Sequence, residues 1–224
     1  MVLDTLIESL PQLFEGLKIT LGLTIFSLIL GSIFGILMAV GRVYGKKPLA
    51  FFIYIYEKTL RGIPLLVIFF IIYFGLSEIG LNINAFNSAV IGLGLRSTAY
   101  QAQIYRSAIN SIPSGQMVAA RSMGMSKIKA IRYIILPQAL RLSIPGWSNE
   151  LTIVLKDTSI AFGIGVVDLM RQGRYIYSVN HELVLQILLI IALIYFVLVF
   201  SINKGLNYLE KKYKITGLEF EIER

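Results

Sequence analysis

Long apolar segments alternate with short polar ones along almost the whole chain. A helix needs about 20 mostly apolar residues to cross the ~30 Å hydrocarbon core of a bilayer, and its internal hydrogen bonds satisfy the backbone there. The pattern predicts five such helices, at about 17–41, 62–79, 85–109, 139–163 and 183–205. We therefore expect an all-α membrane protein in which residues 1–224 form a single transmembrane domain.

Two details refine the N-terminal part of this pattern. Acidic and apolar residues alternate at helical spacing in residues 1–16, which predicts a short helix on the outer surface. Within the first predicted span, Ser27, Gly31, Gly35 and Ala39 recur every fourth residue. Small side chains at this spacing let a second helix approach closely, either inside the same subunit or across a dimer contact.

Composition and charge support a membrane protein with a defined orientation. The chain is 56% hydrophobic and carries a net charge of +8, with a mean hydropathy of +0.73. Of its 21 Lys and Arg residues, most lie in segments 42–61 and 106–141 and in the tail from Lys204. The positive-inside rule then places the N-terminus outside and the C-terminus in the cytoplasm. The positive charge therefore indicates topology, and we expect no nucleic-acid partner.

The longest basic segment, at about 112–137, predicts a cytoplasmic docking surface for another protein. The segment lies between the third and fourth spans and is predicted to form two short helices. Its small residues Ala119 and Ala120 would allow the partner protein to approach closely. Gly124 permits the bend between the helices, and Pro113 and Pro137 mark the ends of the segment. The residues expected to contact the partner are Ala119, Ala120, Arg121, Gly124, Met125, Leu136 and Pro137. The basic side chains of this segment face either an acidic partner surface, lipid headgroups or simply solvent.

Charged residues inside predicted spans indicate a second site, because a charge near mid-bilayer is costly unless it is paired or solvated. At ~1.5 Å per residue, Arg96 and Glu150 each lie about 15 Å from a membrane face and so share one depth. Glu150 and Asp157 are seven residues apart and lie on one side of their helix. Between the third and fourth spans we therefore expect a polar cavity.

Such a cavity suits a zwitterion, with Arg96 binding a carboxylate and Glu150 or Asp157 binding a cationic group. The candidate binding residues are Glu150, Arg96, Thr98, Gln101, Ser97, Asn149, Lys156, Asp157 and, on the apolar wall, Leu65. The competing interpretation is an internal ion-pair network of Arg96 with Glu150 and Lys156 with Asp157. Neither the lone His181 nor any other residue indicates a metal site.

Four stretches together resemble the membrane permease subunits of ATP-binding cassette (ABC) importers for polar amino acids. They are Gly94 to Arg106, Ile112-Pro113-Ser114-Gly115-Gln116, the loop Ala119 to Pro137, and Pro137-Gln138-Ala139-Leu140-Arg141 with the later Lys156-Asp157-Thr158-Ser159. The loop is similar to the EAA motif by which these subunits engage their ATPase. The family's usual glutamate is replaced by Val118, and an acidic residue common after Ala-Tyr-x-Ala is replaced by Gln103.

The resemblance implies a type I importer fold, a multi-pass subunit of the bacterial cytoplasmic membrane and three protein partners. These are an ABC ATPase dimer, a second identical or homologous permease subunit, and an extracytoplasmic amino-acid-binding protein. The chain has no Gly-x-x-x-x-Gly-Lys-Ser/Thr motif, so ATP and Mg²⁺ belong to the ATPase and we expect no cofactor and no catalysis here.

The substrate and the driving force leave alternatives open. Two acidic residues near the midplane favour a basic amino acid such as arginine, lysine or histidine. If Arg96 and Lys156 neutralise them, glutamine or glutamate fits equally well. A transporter driven by an ion gradient would explain the charges but not the basic loop. An intramembrane hydrolase would have only Ser159 with Lys156 as a dyad, and a structural scaffold would not need charges at mid-membrane.

Overall fold

A computed structural model describes the backbone of residues 2–213 and the side chains of residues 8–208, 210 and 211. The first helix, α1, spans Val2–Tyr44 and contains Pro11. The separate surface helix expected at 1–16 is therefore wrong, because these residues continue into α1 without a break. The helix α5, Ala85–Asn110, has the predicted bounds of the third span almost to the residue.

The second predicted span is short and follows a sharp bend. The amphipathic helix α2, Lys47–Gly62, leads at 105° into Leu65–Glu78, which consists of α3, Leu65–Phe70, a π-helical turn at Ile71–Gly75, and α4, Leu76–Glu78. Pro64 precedes the first turn of α3, where its missing N–H leaves no helical bond unmade. The bend brings the last turn of α2 towards α5.

The predicted cytoplasmic segment forms α6, Ser114–Ser122, and α7, Lys127–Ala130, on either side of Gly124. The chain then continues through a π-helical turn at Ile131–Ile135 into α8, Leu136–Leu142. Pro137 thus lies inside a continuous helical run, and its expected place at the end of the segment is wrong. The π turn changes the local hydrogen bonds where Pro137 lacks an N–H, and Gln138 Nε2 donates to the Ile134 carbonyl at 2.7 Å.

The fourth and fifth predicted spans differ in regularity. The fourth is interrupted at Ser143, so that α8 is followed by α9, Ile144–Asp157, and by a 3₁₀ helix at Thr158–Ile164. The connection between these two predicted spans contains a further helix, α10, Leu169–Val179, capped by Asp168. The last helix, α11, spans Val184–Tyr213.

Among the described residues, two helical stretches are long and apolar enough to cross a membrane, Glu8–Tyr44 and His181–Tyr208. The bent pair Lys47–Gly62 and Leu65–Glu78 adds a third if it counts as one span. The helix α5 is long enough to cross a membrane but carries polar residues. The fourth predicted span is interrupted at Ser143. The count of five spans and the orientation stay predictions.

The face of small residues on α1 packs against α5 within the subunit, which is one of the two expected uses. A Cβ atom added at Gly31 would lie 2.5 Å from Gln101 Nε2, and one at Gly35 would lie 2.9 Å from Gln101 Cβ. Ser27 Oγ donates to the Val90 carbonyl at 3.3 Å, and Ala39 is fully buried. Only glycine allows α1 and α5 to lie this close at these two positions.

Candidate binding site

Arg96 and Asp157 form an ion pair between α5 and α9. Arg96 Nη1 lies 2.5 Å from Asp157 Oδ2, and both side chains are about one-quarter exposed. The competing interpretation of an internal ion-pair network is thus confirmed for one pair, but with other partners than the example of Arg96 with Glu150 and Lys156 with Asp157. Successive helical residues differ by about 100° in direction, so Asp157 faces α5 while Lys156 is exposed. The positive charge of Arg96 is already compensated within the chain.

Glu150 is buried next to this pair but has a different partner. Its side chain is 3% exposed, and its Oε1 accepts a hydrogen bond of 2.8 Å from Ser97 Oγ. Ser97 Oγ in turn accepts a bond of 3.0 Å from Gln101 Nε2. No basic side chain forms an ion pair with Glu150 in the part of the chain that the structure describes. Its carboxylate thus accepts a hydrogen bond from Ser97 but has no cation in contact among the described residues.

Gln101 links this carboxylate to a hydrogen-bond network that joins three helices. Its Oε1 accepts bonds from Tyr105 OH at 3.0 Å and from Ser32 Oγ at 2.9 Å. Ser32 Oγ also accepts a bond of 3.1 Å from Trp147 Nε1. Gln101 is fully buried against α1. The Gln101 amide therefore positions Ser97, and through it Glu150, from the side that packs on α1, and it does not face the cavity.

A cavity of about 470 Å³ lies between α2, α5 and α9. It is lined by Arg61, Tyr100, Gln103, Ile104, Ser107, Ala108, Leu142, Ser143, Pro145, Gly146, Asn149, Glu150 and Ile153. A narrower crevice, which shares Tyr100, Glu150 and Ile153 with it, reaches Arg96, Ser97 and Asp157. The cavity extends along α5 from Tyr100 to Ala108, about 12 Å towards the end that is predicted to be cytoplasmic.

The structure brings together some of the predicted binding residues and places others elsewhere. Glu150 and Asn149 line the cavity, and Arg96, Ser97 and Asp157 line the crevice. Thr98 is buried and donates to the Gly94 carbonyl of its own helix at 2.8 Å. Leu65 is buried in an apolar cluster with Phe69 and Leu93. With Gln101 and Lys156, these two residues do not line the cavity, so their predicted binding role finds no geometric support.

Arg61, Tyr100 and Gln103 also line the cavity, and the sequence analysis did not name them as binding residues. Arg61 Nη1 donates a hydrogen bond to Gln103 Oε1, and its guanidinium lies 4.9 Å from the centre of the Tyr100 ring. The Arg96 guanidinium lies 5.5 Å from the same ring. The available signal was the amide of Gln103 in place of an acidic residue, combined with a cation, Arg61, in the segment just before the second span.

A second surface is formed by the segment at 112–137. Its exposed apolar side chains are Val118, Met123, Ile128 and Tyr133, each more than 60% exposed. The predicted contact residues Ala119, Arg121, Gly124 and Pro137 are also exposed, Met125 and Leu136 are half-buried, and Ala120 is buried. Arg121 Nη1 donates to the Met125 carbonyl at 2.8 Å. Lys127 Nζ donates to the Tyr44 carbonyl at 3.0 Å and ties the segment to α1.

Comparison with known proteins gives consistent matches. Residues 31–215 match the family described as "Binding-protein-dependent transport system inner membrane component". The chain is 37% identical to the histidine/lysine/arginine/ornithine transport system permease protein HisM of Salmonella typhimurium, over 75% of this chain and 76% of HisM. It is 36% identical to the L-cystine transport system permease protein TcyB of Bacillus subtilis, over 90% of this chain and 86% of TcyB.

The fold also matches a solved structure. A crystal structure of an amino acid ABC transporter with histidines contains a chain that is 37% identical to this one. The two superpose with a TM-score of 0.84 over 92% of this chain and 96% of that chain.

Proposed function

Because the chain belongs to the family of inner membrane components of binding-protein-dependent transport systems, we propose that it is the permease subunit of an ATP-driven importer for basic L-amino acids. Arginine, lysine and histidine are the expected substrates. The observation that carries this proposal is Glu150, a buried carboxylate on the cavity wall without a cation in contact. The chain is a non-catalytic component of the bacterial inner membrane.

The charge balance of the cavity favours a cationic ligand group. Arg96 and Asp157 neutralise each other, so that the pair contributes little net field to the cavity. The carboxylate of Glu150 forms no ion pair within the described residues, and a charge-assisted hydrogen bond from an ammonium or guanidinium group would stabilise its charged form. Asn149 beside it offers an amide that both accepts and donates.

The relatives leave the substrate class open, since HisM is named for basic amino acids and TcyB for L-cystine. An importer of glutamine or glutamate is the second candidate function. It is favoured by the amide of Gln103 and by the guanidinium of Arg61, which give the cavity neutral and positive groups beside Glu150. A subunit driven by an ion gradient is less favoured, because the exposed segment at 112–137 would then have no binding partner.

The family implies an ATPase and a binding protein as general partners. We propose that the ATPase dimer binds the surface formed by Val118, Met123, Ile128 and Tyr133, and that it holds the ATP and Mg²⁺. A second permease subunit, identical or homologous, would complete the pathway, because the helices of one chain are too few to enclose it. The binding protein would deliver the amino acid to the side that carries α10.

The test is substrate-stimulated ATPase activity of the reconstituted complex with its binding protein. Glu150→Ala and Glu150→Gln should each raise the arginine concentration for half-maximal stimulation about tenfold or more, because a hydrogen bond between charged groups contributes about 1.5–3 kcal/mol. Glu182→Gln, which removes an exposed acid outside the cavity, should leave it unchanged. Unchanged stimulation in both Glu150 variants would exclude Glu150 from the site. Stronger stimulation by glutamine than by arginine in the wild type would favour the second candidate.

The driving force needs a separate measurement. Proteoliposomes that contain the complex should accumulate labelled arginine only when ATP is supplied to the ATPase. Accumulation at the same rate by vesicles that contain the permease chain without any ATPase would instead show an ion-gradient mechanism.

A further inference from the structure

Arg61 is a cation of the cavity that forms no ion pair with any described residue. It lies in the last turn of α2, just before the 105° bend into α3. Its guanidinium reaches over Tyr100 and donates to the neutral amide oxygen of Gln103. Within the described part of the chain no carboxylate forms an ion pair with it. In contrast to Arg96, which pairs with Asp157, the guanidinium of Arg61 lines the cavity without an ion-pair partner.

The cavity therefore holds two charged side chains of opposite sign, Glu150 and Arg61, and neither forms an ion pair within the described residues. Glu150 is bonded to Ser97 and Arg61 to Gln103. These two partners are six residues apart on α5, a separation of about 9 Å along the helix axis. The positive group lies on the side towards Ala108, which is the end predicted to be cytoplasmic.

Because the two protein charges lie at different levels of the cavity, a ligand that contacts both must carry its own charged groups well apart. In extended arginine or lysine, six bonds of ~1.5 Å place the carboxylate and the cationic side-chain group roughly 7 Å apart. Each end can then form a charge-assisted hydrogen bond with one of the two protein groups. A neutral amino acid has its only two charges on neighbouring atoms around Cα. It therefore reaches one of the two protein charges and leaves the other unpaired.

We propose that Arg61 binds the carboxylate of the transported amino acid while Glu150 binds its cationic side chain, so that the pair selects for length as well as charge. This inference rests on the proposed function of the cavity as the amino-acid site. The planar guanidinium forms two parallel hydrogen bonds with a carboxylate, and the carboxylate replaces the single bond to Gln103. The amides of Gln103 and Asn149, which line the same cavity, remain as acceptors for the α-ammonium group.

The experiment measures equilibrium binding to the purified permease–ATPase complex without the binding protein, so that only the cavity selects. The two probes are labelled arginine and agmatine, which is arginine without its carboxylate. In the wild type, arginine should bind at least tenfold more tightly than agmatine. Arg61→Gln should weaken arginine binding at least tenfold and leave agmatine binding unchanged. Lys58→Gln removes a cation from the same helix that does not line the cavity, and it should change neither.

A second variant leaves Arg61 in place. Gln103→Glu puts a carboxylate beside the guanidinium, and it should weaken arginine binding as Arg61→Gln does because the cation is then already neutralised. Arg61→Lys keeps the charge and should retain part of the preference for arginine over agmatine. These variants separate the charge of Arg61 from its contribution to folding.

The outcomes distinguish this inference from the function on which it rests. If Arg61→Gln leaves arginine binding intact, or weakens arginine and agmatine equally, Arg61 does not bind the carboxylate, while the proposed function stands as long as the wild type binds arginine. If the wild type binds neither probe and Glu150→Gln also has no effect on transport, the proposed function fails and this inference fails with it.

Discussion

At the scale of single residues, Asp168 is a buried carboxyl group with only one of its oxygens satisfied. It is fully buried and lies in the connection between the predicted fourth and fifth spans. Its Oδ1 accepts a hydrogen bond of 3.0 Å from the Arg171 N–H and caps α10. Its Oδ2 has no hydrogen-bond partner among the described residues. Burial raises the pKa of Asp168 to about 6, against the lowering effect of the backbone N–H groups.

This raised pKa predicts that the fold loses stability as the pH rises. In the unfolded chain Asp168 has the ordinary pKa of 3.8. The contribution of the protonated Asp168 side chain to the stability of the fold is therefore fully present below about pH 4, and it is lost as the pH rises through 6. The difference corresponds to at most about 3 kcal/mol. Asp168→Asn keeps an oxygen for the cap but cannot ionise, and it should become more stable than the wild type by up to this amount between pH 4.5 and 7.5. Thermal unfolding of the detergent-purified chains over this range is the measurement. Parallel curves for the two proteins would contradict the prediction.

At the scale of elements, the turn between α6 and α7 is built around one glycine. Gly124 has φ = +83°, which places it in the left-handed region. Its N–H donates to the Arg121 carbonyl at 3.0 Å, and the Met125 N–H donates to the Ala120 carbonyl at 3.1 Å. This pair of bonds is the Schellman motif, which ends α6 and satisfies its last carbonyl groups. The angle between α6 and α7, and with it the surface offered to the ATPase, depends on this turn.

Gly124→Ala should therefore uncouple ATP hydrolysis from transport. A Cβ atom at Gly124 would have no atom within 4 Å, so the effect comes from the backbone conformation alone, which costs an alanine about 1–2 kcal/mol. Gly115→Ala is the matched control, because its Cβ atom also meets nothing within 4 Å and its φ is not positive. The measurement is the number of arginine molecules transported per ATP hydrolysed in proteoliposomes. The ratio should fall for Gly124→Ala and not for Gly115→Ala, and Gly124→Asn should be intermediate, since asparagine tolerates a positive φ. Equal ratios for all variants would show that the turn does not transmit the coupling.

The pattern of apolar and polar residues was sufficient to predict those elements that depend on local sequence. The bounds of α5 and the bend at Gly124 follow from periodicity and glycine chemistry, and helical rise places Arg96 and Glu150 at matching levels of α5 and α9. The sequence pattern does not predict which side chains pair between helices, because such pairs depend on helix tilt and on side-chain rotamers. For this reason Arg96 pairs with Asp157 and not with Glu150. Arg61 reaches the cavity because α2 and α3 meet at a bend of 105°. Pro64 predicts the position of this bend in the sequence, but it does not predict the angle.

At the scale of the whole molecule, large apolar side chains remain exposed on two outer helices. On α1 they are Ile25, Phe26, Ile29, Ile33, Phe34 and Leu37, and on α11 they are Leu185, Leu189, Leu193, Phe196, Val197 and Phe200. Apolar surface of this extent is stable only when lipid or another subunit covers it. These faces of α1 and α11 are therefore expected to contact lipid or a second subunit.

The orientation of this assembly in the membrane is open to a direct test, because the native sequence contains no cysteine. Single cysteines at Met123 and Val179 would lie on opposite predicted sides, and both positions are highly exposed, at 70% and 80%. In intact spheroplasts, a membrane-impermeant maleimide should label Val179→Cys at once. It should label Met123→Cys only after the membrane is opened, since the positive-inside rule puts the basic segment at 112–137 in the cytoplasm. The unmodified chain controls for background labelling. The reverse pattern would place the proposed ATPase surface outside the cell, and the coupling of this chain to ATP hydrolysis would then be untenable.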